Sequence, residues 1–451
     1  MSGQPTGAVE VYGTPELAEA ATSAPVVTGE ARRVRDDAEP RLVSRPFVAL
    51  AVAALAFFVA GGIVLPVASR FARGPLAADA LGFGISIAAF SIAALLARPI
   101  VGWASDRFGR RPLLVIGSAL TIGALLLHLV ATNLAIFTLA RAGLGIGEGF
   151  FFVAALAAGS DLAPPSRRGE ALSFLSLSLY MGVVVGPFVG EVALAQGGYD
   201  TVWIVSAIIA GVALLLTLLV PETAPCRLGA RFEDLPGPAG GPVGDGATTK
   251  RSGARLFHPR GLLPGLFILA GAWGMSGFFT FLPFYADEVG LDGAGIPLAL
   301  YGLVVISLRV MGARLPDRIG APRLSGAAMV VASIGLVIIG LLPTSTGLLL
   351  GTIVYAAGIA FLFPAVMSCA VGLVPAAERG SVLGTTSAFL DLGFGIGPVV
   401  LSLLVAGSLT GTASAGSLSL TFLLSAAVAA AGAVLLYARR RDLAPGMAMT
   451  A

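Results

Sequence analysis

The stretch RPIVGWASDRFG, residues 98–109, returns in altered form as RVMGARLPDRIG, residues 309–320, at an offset of 211 positions. The same ungapped offset pairs further matching residues: Pro164 with Pro375, Arg168 with Arg379, Gly182 with Gly393, Gly186 with Gly397, and Pro187 with Pro398. Arginine, aspartate and proline are far less frequent here than alanine, glycine or leucine, so their recurrence at one offset indicates an internal duplication. The sequence therefore predicts two homologous halves.

The composition places most of the chain in lipid. Of the 451 residues, 56% are hydrophobic and 12% are charged, whereas about a quarter of the residues in soluble domains are charged. Together with the mean hydropathy of +0.92, this excludes a soluble enzyme. Two cysteines and two histidines, distant from one another, do not make a disulfide framework or a metal site. We therefore expect no metal and no cofactor.

Apolar stretches long enough to cross a bilayer recur along the chain. A spanning helix needs about 20 apolar residues, because each residue advances the helix by about 1.5 Å through about 30 Å of hydrocarbon. Twelve stretches meet this requirement: 46–69, 80–104, 112–131, 134–159, 169–195, 201–220, 261–286, 296–315, 321–342, 345–371, 380–406 and 414–438. The predicted fold class is an all-α integral membrane protein with 12 transmembrane helices in two pseudo-symmetric six-helix bundles.

Polar segments divide the chain into five regions. Residues 1–45 hold seven acids and five arginines without apolar periodicity, which predicts a disordered cytoplasmic tail rather than a signal peptide. Residues 46–220 form the predicted N-terminal bundle, and 260–438 the C-terminal bundle. Between them, the proline- and glycine-rich residues 221–259 predict a flexible cytoplasmic linker. Residues 439–451 are a second cytoplasmic tail.

The basic residues predict the orientation. With both termini in the cytoplasm, 23 of the 28 lysines and arginines lie on the inner side, two (Arg70 and Arg73) lie outside, and three (Arg98, Arg141 and Arg309) lie within spans. This distribution obeys the positive-inside rule. The net charge of +3 therefore reflects membrane orientation, and we expect a cell-membrane protein whose partners are the lipid bilayer, protons and a small molecule, with no nucleic acid.

Two duplicated six-helix halves are typical of secondary transporters. In such proteins the substrate site lies between the halves near the midplane, and the halves rock to expose it to alternate sides. The sequence contains no nucleotide-binding loop, so we expect an ion gradient, here the proton gradient, as the energy source.

The loop after the second span carries a specific resemblance. Residues 102–111, GWASDRFGRR, match the loop signature Gly-x-x-x-Asp-Arg-x-Gly-Arg-Arg/Lys, and the chain resembles the major facilitator superfamily over about residues 46–438. The resemblance implies the major facilitator fold and a conformational latch for the outward-open state. Its residues are Gly102, Asp106, Arg107, Gly109 and Arg110, with Asp317 and Arg318 in the duplicate. The alternative is a positively charged turn without a switching role.

The fifth span contains a glycine–proline pattern that resembles the signature of the drug/proton antiporter branch, with Glu191 in place of the usual last glycine. Glycines four residues apart let two helices approach closely, and proline removes a backbone hydrogen bond, so we expect a kinked, tightly packed hinge between the halves. The hinge residues are Gly182, Gly186, Pro187, Gly190, Gly393, Gly397 and Pro398. The alternative is helix packing alone. We expect Glu191 to extend into the membrane interface rather than into the cavity.

Arg141 and Glu148 are the first candidates for proton coupling. Arg141, four residues before Gly145, resembles the arginine of the family's fourth-helix motif. Seven residues separate Arg141 from Glu148, so both project from one helix face about 10 Å apart. A charge at mid-span costs roughly 2.5–3.5 kcal/mol, which favours a function in the cavity. The alternative is a static ion pair that orients two helices.

Asp391 is the second candidate. It lies near the middle of the eleventh span without a basic residue near it in sequence, and a carboxylate in apolar surroundings can bind and release a proton. Aromatic residues in the fourth, seventh and tenth spans are candidates for an apolar pocket: Phe152, Trp273, Phe279 and Tyr355.

These features favour proton-coupled efflux of an amphipathic small molecule, such as a drug or secondary metabolite, by a monomeric antiporter. The alternative is a proton-coupled uptake symporter for a small polar solute such as a sugar or an organic acid. The predicted spans are poor in asparagine and glutamine, which favours export. The first span, however, lacks the acidic residue that many drug/proton antiporters carry there.

Overall fold

The computed structural model describes residues 44–164, 168–223, 258–312, 315, 319–374, 379–404 and 415–443, and within them the chain is helical and contains no strand. The helices, numbered in chain order, are α1 Arg45–Arg73, α2 Ala80–Phe108, α3 Arg110–Leu129, α4 Leu134–Leu162, α5 Arg168–Thr217, α6 Pro259–Glu288, α7 Gly295–Met311, α8 Ala321–Leu341, α9 Ser345–Gly372, α10 Arg379–Leu404 and α11 Ala415–Ala438. The predicted all-α membrane fold class is confirmed.

The fifth helix contains two membrane spans. Gly198 has a φ of +73°, a backbone conformation that glycine adopts without strain, and it separates two arms. At the start of the first arm, Phe174 packs edge-on against Phe47 of α1. Near the end of the second arm, Leu216 lies beside Ser44, which precedes α1. Both arms therefore end at the same side of the bundle, and α5 crosses the membrane twice.

Counted this way, the described helices provide the twelve predicted spans. Ten helices are long and apolar enough to cross a membrane, α5 among them, and the apolar helix α7 is shorter at 17 residues. The predicted boundaries agree with the observed helices to within about four residues. The eighth predicted span, 296–315, extends past the end of α7 into residues that the structure describes only in part.

Side-chain caps define several helix starts. Ser44, Asp79, Asn133 and Thr344 each accept a hydrogen bond from the backbone N–H three residues later. Such caps satisfy donors that the first helical turn leaves without intrahelical partners. This matters in lipid, where water cannot replace the missing partner.

Glycine contacts repeat in the two halves. A Cβ atom added at Gly186 of α5 would lie 2.6 Å from the Cα of Gly62 on α1. A Cβ atom added at Gly393 of α10 would lie 2.6 Å from the Cβ of Ala272 on α6. Because Gly393 is the duplicate of Gly182, α10 packs on α6 as the first arm of α5 packs on α1. The structure therefore repeats the internal duplication as a repeated helix contact.

These contacts differ from the expected hinge between halves. Gly182 and Gly190 approach the α1 backbone, and Gly397 approaches Ser276 of α6, so the motif glycines pack within each half. Pro187 and Pro398 are both buried inside their helices. Within the glycine–proline motif, the backbone at Pro398 contacts the other half. A Cβ atom added at Gly84 of α2 would lie 3.1 Å from the Pro398 carbonyl oxygen.

The most extensive contacts between the described parts of the two halves form two seams. In the first seam α2 packs on α10, where Gly395 approaches Ile92 closely. In the second seam the first arm of α5 packs on α7, where Gly302 faces the side chain of Val184. We call the side that carries residues 74–79 and 289–294 the outer end, following the predicted orientation. Most of the predicted tails and linker, 1–45, 221–259 and 439–451, lies outside the described residues.

Gly62→Leu is expected to destabilise the protein, because its side chain would collide with the α5 backbone. Overpacking of this kind costs about 1–3 kcal/mol. The measurement is the melting temperature of purified protein in detergent. Gly61→Leu is the matched control, since nothing lies within 4 Å of a Cβ atom there. Equal melting temperatures for the two variants would contradict the α1–α5 contact.

Candidate functional site

An ion pair joins the two halves inside the membrane region. Arg98 of α2 and Asp391 of α10 approach to 2.7 Å between Nε and Oδ2, and Nη2 of Arg98 donates to Oδ1 at 3.0 Å. Their side chains are only 17% and 11% exposed. Asp391 is thus not the lone carboxylate that its sequence neighbourhood indicated. Its partner, Arg98, lies on the opposite half. No sequence motif indicated Arg98 as a site residue.

Glu148 of α4 belongs to the same charge cluster. Its Oε2 atom is shielded from solvent and has no hydrogen-bond partner among the described residues. Arg98 is close enough to act on Glu148 electrostatically, and Asp391 lies within the electrostatic range of both. The guanidinium of Arg98 therefore pairs with one carboxylate, from the opposite half, and lies within electrostatic range of a second carboxylate from its own half. We call Arg98, Glu148 and Asp391 the central triad.

Arg141 makes different contacts from those expected. It is 4% exposed, its Nη2 lies 3.5 Å from the carbonyl oxygen of Ile87, and its guanidinium lies 5.2 Å from the ring centroid of Phe90. Both neighbours are on α2. Among the described ion pairs, none joins Arg141 to Glu148, and Arg98 supplies the positive charge near that carboxylate. Arg141 therefore contributes to the packing of α4 against α2.

The four candidate pocket aromatics fall into separate groups. Phe152 lies in the N-terminal half, with its ring centroid 5.6 Å from the guanidinium of Arg98. Phe279 and Tyr355 lie in the C-terminal half and both pack against Tyr301, at centroid distances of 5.4 Å and 6.1 Å. Trp273 of α6 is partly buried, with an indole N–H that has no partner among the described residues. Phe152 thus adjoins the central triad. Phe279, Tyr301 and Tyr355 form a separate group, which we call the tyrosine-rich cluster.

A second ionic cluster joins the two halves at the outer end. Arg70 of α1 lies 3.2 Å from Glu191 of α5 and 3.1 Å from Asp287 of α6. Asp287 also accepts a hydrogen bond from the Gly293 N–H. Glu191 is 13% exposed in this pair, so it binds a cation of its own half instead of extending freely into the interface. We call Arg70, Glu191 and Asp287 the outer cluster.

The loop between α2 and α3 is tied to its own half. Gly109, with a φ of +100°, makes the sharp junction between the two helices. Nε of Arg110 lies 3.2 Å from Oδ2 of Asp161 at the end of α4, and the Arg110 N–H donates to Oε1 of Glu222 at 2.8 Å. Arg111 donates to the carbonyl oxygen of Leu218. The loop therefore connects the ends of α2, α4 and α5 that lie opposite the outer end.

Other predicted latch residues are described in part. Gly102 and Asp106 lie in the last two turns of α2, and the guanidinium of Arg107 lies 5.9 Å from the ring centroid of Phe108. The Asp106 side chain and the duplicate residues Asp317 and Arg318 lie outside the described residues.

Comparison with known sequences decides the family. The sequence model of the Major Facilitator Superfamily matches residues 47–398 and 294–447. The chain belongs to this superfamily. This superfamily member is 27% identical over 349 residues to an uncharacterised MFS-type transporter of Salmonella typhimurium. The alignment covers 75% of this chain and 84% of that relative.

Solved structures share the fold of this superfamily member. A bacterial homologue of the human lysosomal transporter Spinster, in an inward-facing and unoccupied conformation, matches with a TM-score of 0.68 at 16% identity, over 90% of this chain and 98% of that one. A D-xylose–proton symporter matches with a TM-score of 0.66 at 18% identity, over 85% and 96%. The protein is therefore a multi-pass membrane protein and a secondary transporter of this superfamily, not an enzyme.

Removing Arg98 alone is expected to destabilise the protein more than removing Arg98 and Asp391 together. A buried charge left without its partner costs roughly 3–5 kcal/mol, so Arg98→Gln, which leaves Asp391 and Glu148 without their cation, should lower the melting temperature. Asp391→Asn should cost less, because Arg98 keeps Glu148 within electrostatic range. The double variant should recover part of the loss.

The matched control is Asp442→Asn, which breaks the ion pair between Arg439 and Asp442. Those side chains are 61% and 50% exposed, so the loss should stay below about 1 kcal/mol. Additive losses in the double variant would show that Arg98 and Asp391 are not coupled.

Proposed function

We propose that this superfamily member exports an amphipathic small molecule in exchange for protons, by alternating access. The observation that carries the proposal is the central triad, in which Arg98 pairs with Asp391 of the opposite half and lies within electrostatic range of Glu148 of its own half. Such an arrangement links the protonation of two carboxylates to the relative position of the halves.

The charge arithmetic of the triad supplies the coupling. One guanidinium and two ionised carboxylates leave a net charge of −1, which is unfavourable in a region of low polarity. One proton removes that excess. If the proton is held by Glu148, Arg98 pairs with Asp391 and the halves stay together. If the proton is held by Asp391, Arg98 pairs with Glu148 and the ion pair no longer resists separation of the halves.

The outer cluster supplies the second element of alternating access. Arg70 and Glu191 belong to the N-terminal half, and Asp287 belongs to the C-terminal half, so their contact holds the outer end closed. We assign the described arrangement to an outward-closed state. In the outward-open state the outer contact is broken, and the 102–111 loop with Asp317 and Arg318 is proposed to latch the cytoplasmic side.

The surroundings of the triad favour an amphipathic substrate. The ring of Phe152 adjoins Arg98, and the tyrosine-rich cluster lies in the other half, whereas the spans contain few carboxamide side chains. Aromatic surfaces accept apolar groups with few directional contacts. We propose a monomer in the cell membrane, with both termini in the cytoplasm. Uptake of a polar solute is the competing function, which the experiments below separate from export.

Glu148→Gln is expected to abolish proton-coupled export, because a neutral amide cannot carry the proton or replace Asp391 as partner of Arg98. The test is a panel of antibiotics and amphipathic dyes on an efflux-deficient bacterium that expresses the chain. Wild type should lower accumulation of a substrate, and an uncoupler or the substitution should restore it.

Glu288→Gln is the matched control, since Glu288 is an exposed carboxylate at the outer end of α6. It should export as wild type does. Export by Glu148→Gln at the wild-type rate, with equal expression, would exclude Glu148 as the coupling group. If cells that express the wild type accumulate more of the test compound than cells lacking the protein, the protein takes the compound up.

Arg70→Gln is expected to favour opening of the outer end. Losing ion pairs that are partly exposed to water should shift the equilibrium by about 1 kcal/mol, or about fivefold in population. Ser91→Cys, in a background without Cys226 and Cys369, provides a reporter in the seam beside Gly395. An impermeant maleimide added outside should label it several-fold faster when Arg70 is replaced. Unchanged labelling would contradict the outer cluster as a gate.

A further inference from the structure

Arg309 of α7 is the duplicate of Arg98, and its neighbour is a duplicate as well. The offset of 211 positions that relates Arg98 to Arg309 also relates Tyr180 to Asp391. In the structure the guanidinium of Arg309 lies 3.4 Å from the ring centroid of Tyr180. Both duplicated arginines thus contact the equivalent position on the opposite half. One meets a carboxylate there, and the other meets a phenol.

Two hydrogen-bond donor atoms of Arg309 lack acceptors among the described residues. Its Nε and Nη2 atoms are shielded from solvent and have no partner among the described residues. These two atoms form one edge of the guanidinium fork, the edge that binds a carboxylate through two parallel hydrogen bonds. A buried cation without such an acceptor is unfavourable. The position thus retains the arginine of the duplicated pair but not its counter-ion.

Aromatic residues adjoin this unpaired edge. Tyr301 lies within the electrostatic range of both Arg309 and Tyr180. Its ring packs against Phe278 at 5.5 Å, against Phe279 at 5.4 Å and against Tyr355 at 6.1 Å between centroids. The hydroxyl of Tyr355, a residue only 1% exposed, is a further polar group without a partner. Arg309 therefore lies near Tyr301, whose ring packs edge-on or at a tilt against other aromatic side chains, among them Tyr355 with its unpaired hydroxyl.

We propose that Arg309 binds the carboxylate of an aromatic organic acid, so that the transported molecule supplies the counter-ion that Tyr180 does not. The aromatic part of the acid packs against the partly exposed ring of Tyr180, beside the buried cluster of Tyr301, Phe278 and Phe279. This inference rests on the proposed transport function and names the class of substrate. It also assigns different tasks to the duplicated arginines: Arg98 binds the chain's own carboxylate, and Arg309 binds the substrate.

The test is ligand binding to the purified full-length protein in detergent, without any gradient. Three probes of similar shape are titrated by calorimetry: 2-naphthoate, neutral 2-naphthamide and cationic 2-naphthylmethylammonium. Wild type should prefer naphthoate over the amide by about tenfold or more, the effect of a charged hydrogen-bond pair. Arg309→Gln should lose this preference. Arg309→Lys, which keeps the charge but not the fork, should retain part of it.

Tyr180→Asp is the most specific variant. It places opposite Arg309 the carboxylate that Asp391, the duplicate of Tyr180, places opposite Arg98. It should pair with Arg309, keep or raise the melting temperature, and weaken naphthoate binding by about tenfold. It also remains informative if Arg309→Gln does not fold. Arg440→Gln, at an exposed arginine beyond α11, is the matched control and should bind naphthoate as wild type does.

Several outcomes would overturn the inference. They are equal binding of the three probes, no binding of any, a naphthoate preference that survives both Arg309→Gln and Tyr180→Asp, or the same heat of binding with chloride alone. Because the assay needs neither flux nor a proton gradient, it separates this inference from the proposed export. Naphthoate binding with no transport would leave the subsite standing, and proton-coupled export of naphthoate by Arg309→Gln at the wild-type rate would overturn the subsite alone.

Discussion

The ion pair between Arg98 and Asp391 is the constraint to which the rest of the molecule is adapted. A charge inside the membrane needs a partner, and this partner belongs to the opposite half of the protein. The halves therefore cannot separate at this level unless Arg98 finds another acceptor. Glu148, on the same half as Arg98, lies within its electrostatic range, and we propose it as that acceptor. In this proposal, the protonation of two carboxylates sets a condition on the relative position of the two halves.

The duplication provides the scaffold for this arrangement, and divergence makes the halves unequal. Both halves keep an arginine at the same place, and both repeat the close contact between their first and fifth helices. They differ in the residue that faces the arginine across the seam, Asp391 in one case and Tyr180 in the other. This one difference in side chain gives Arg98 an ion pair. It leaves two donor atoms of Arg309 without an acceptor among the described residues.

Hydropathy and the repeat predicted the fold well, because membrane helices need long apolar runs and internal backbone hydrogen bonds. The charge pairs were harder to predict. Asp391 has no basic neighbour in sequence, and its partner lies 293 positions away. The only signal was that both are charges inside apolar spans and must be compensated. Arg141 and Glu148 share a helix face, but the neighbouring helix decides the contacts of Arg141, through Ile87 and Phe90 of α2. Glu191 likewise found its cation on another helix.

The glycine contact between α1 and α5 has a consequence for the outer end. Where the backbones of two helices touch, as at Gly62 and Gly186, neither helix can slide along the other without a steric collision. Arg70 on α1 and Glu191 on α5 are therefore expected to move together. If the outer cluster is the proposed gate, opening leaves Arg70 paired with Glu191, and the carboxylate that loses its partner is Asp287 at the end of α6. Opening of this kind would leave one anion, and no cation, without a partner.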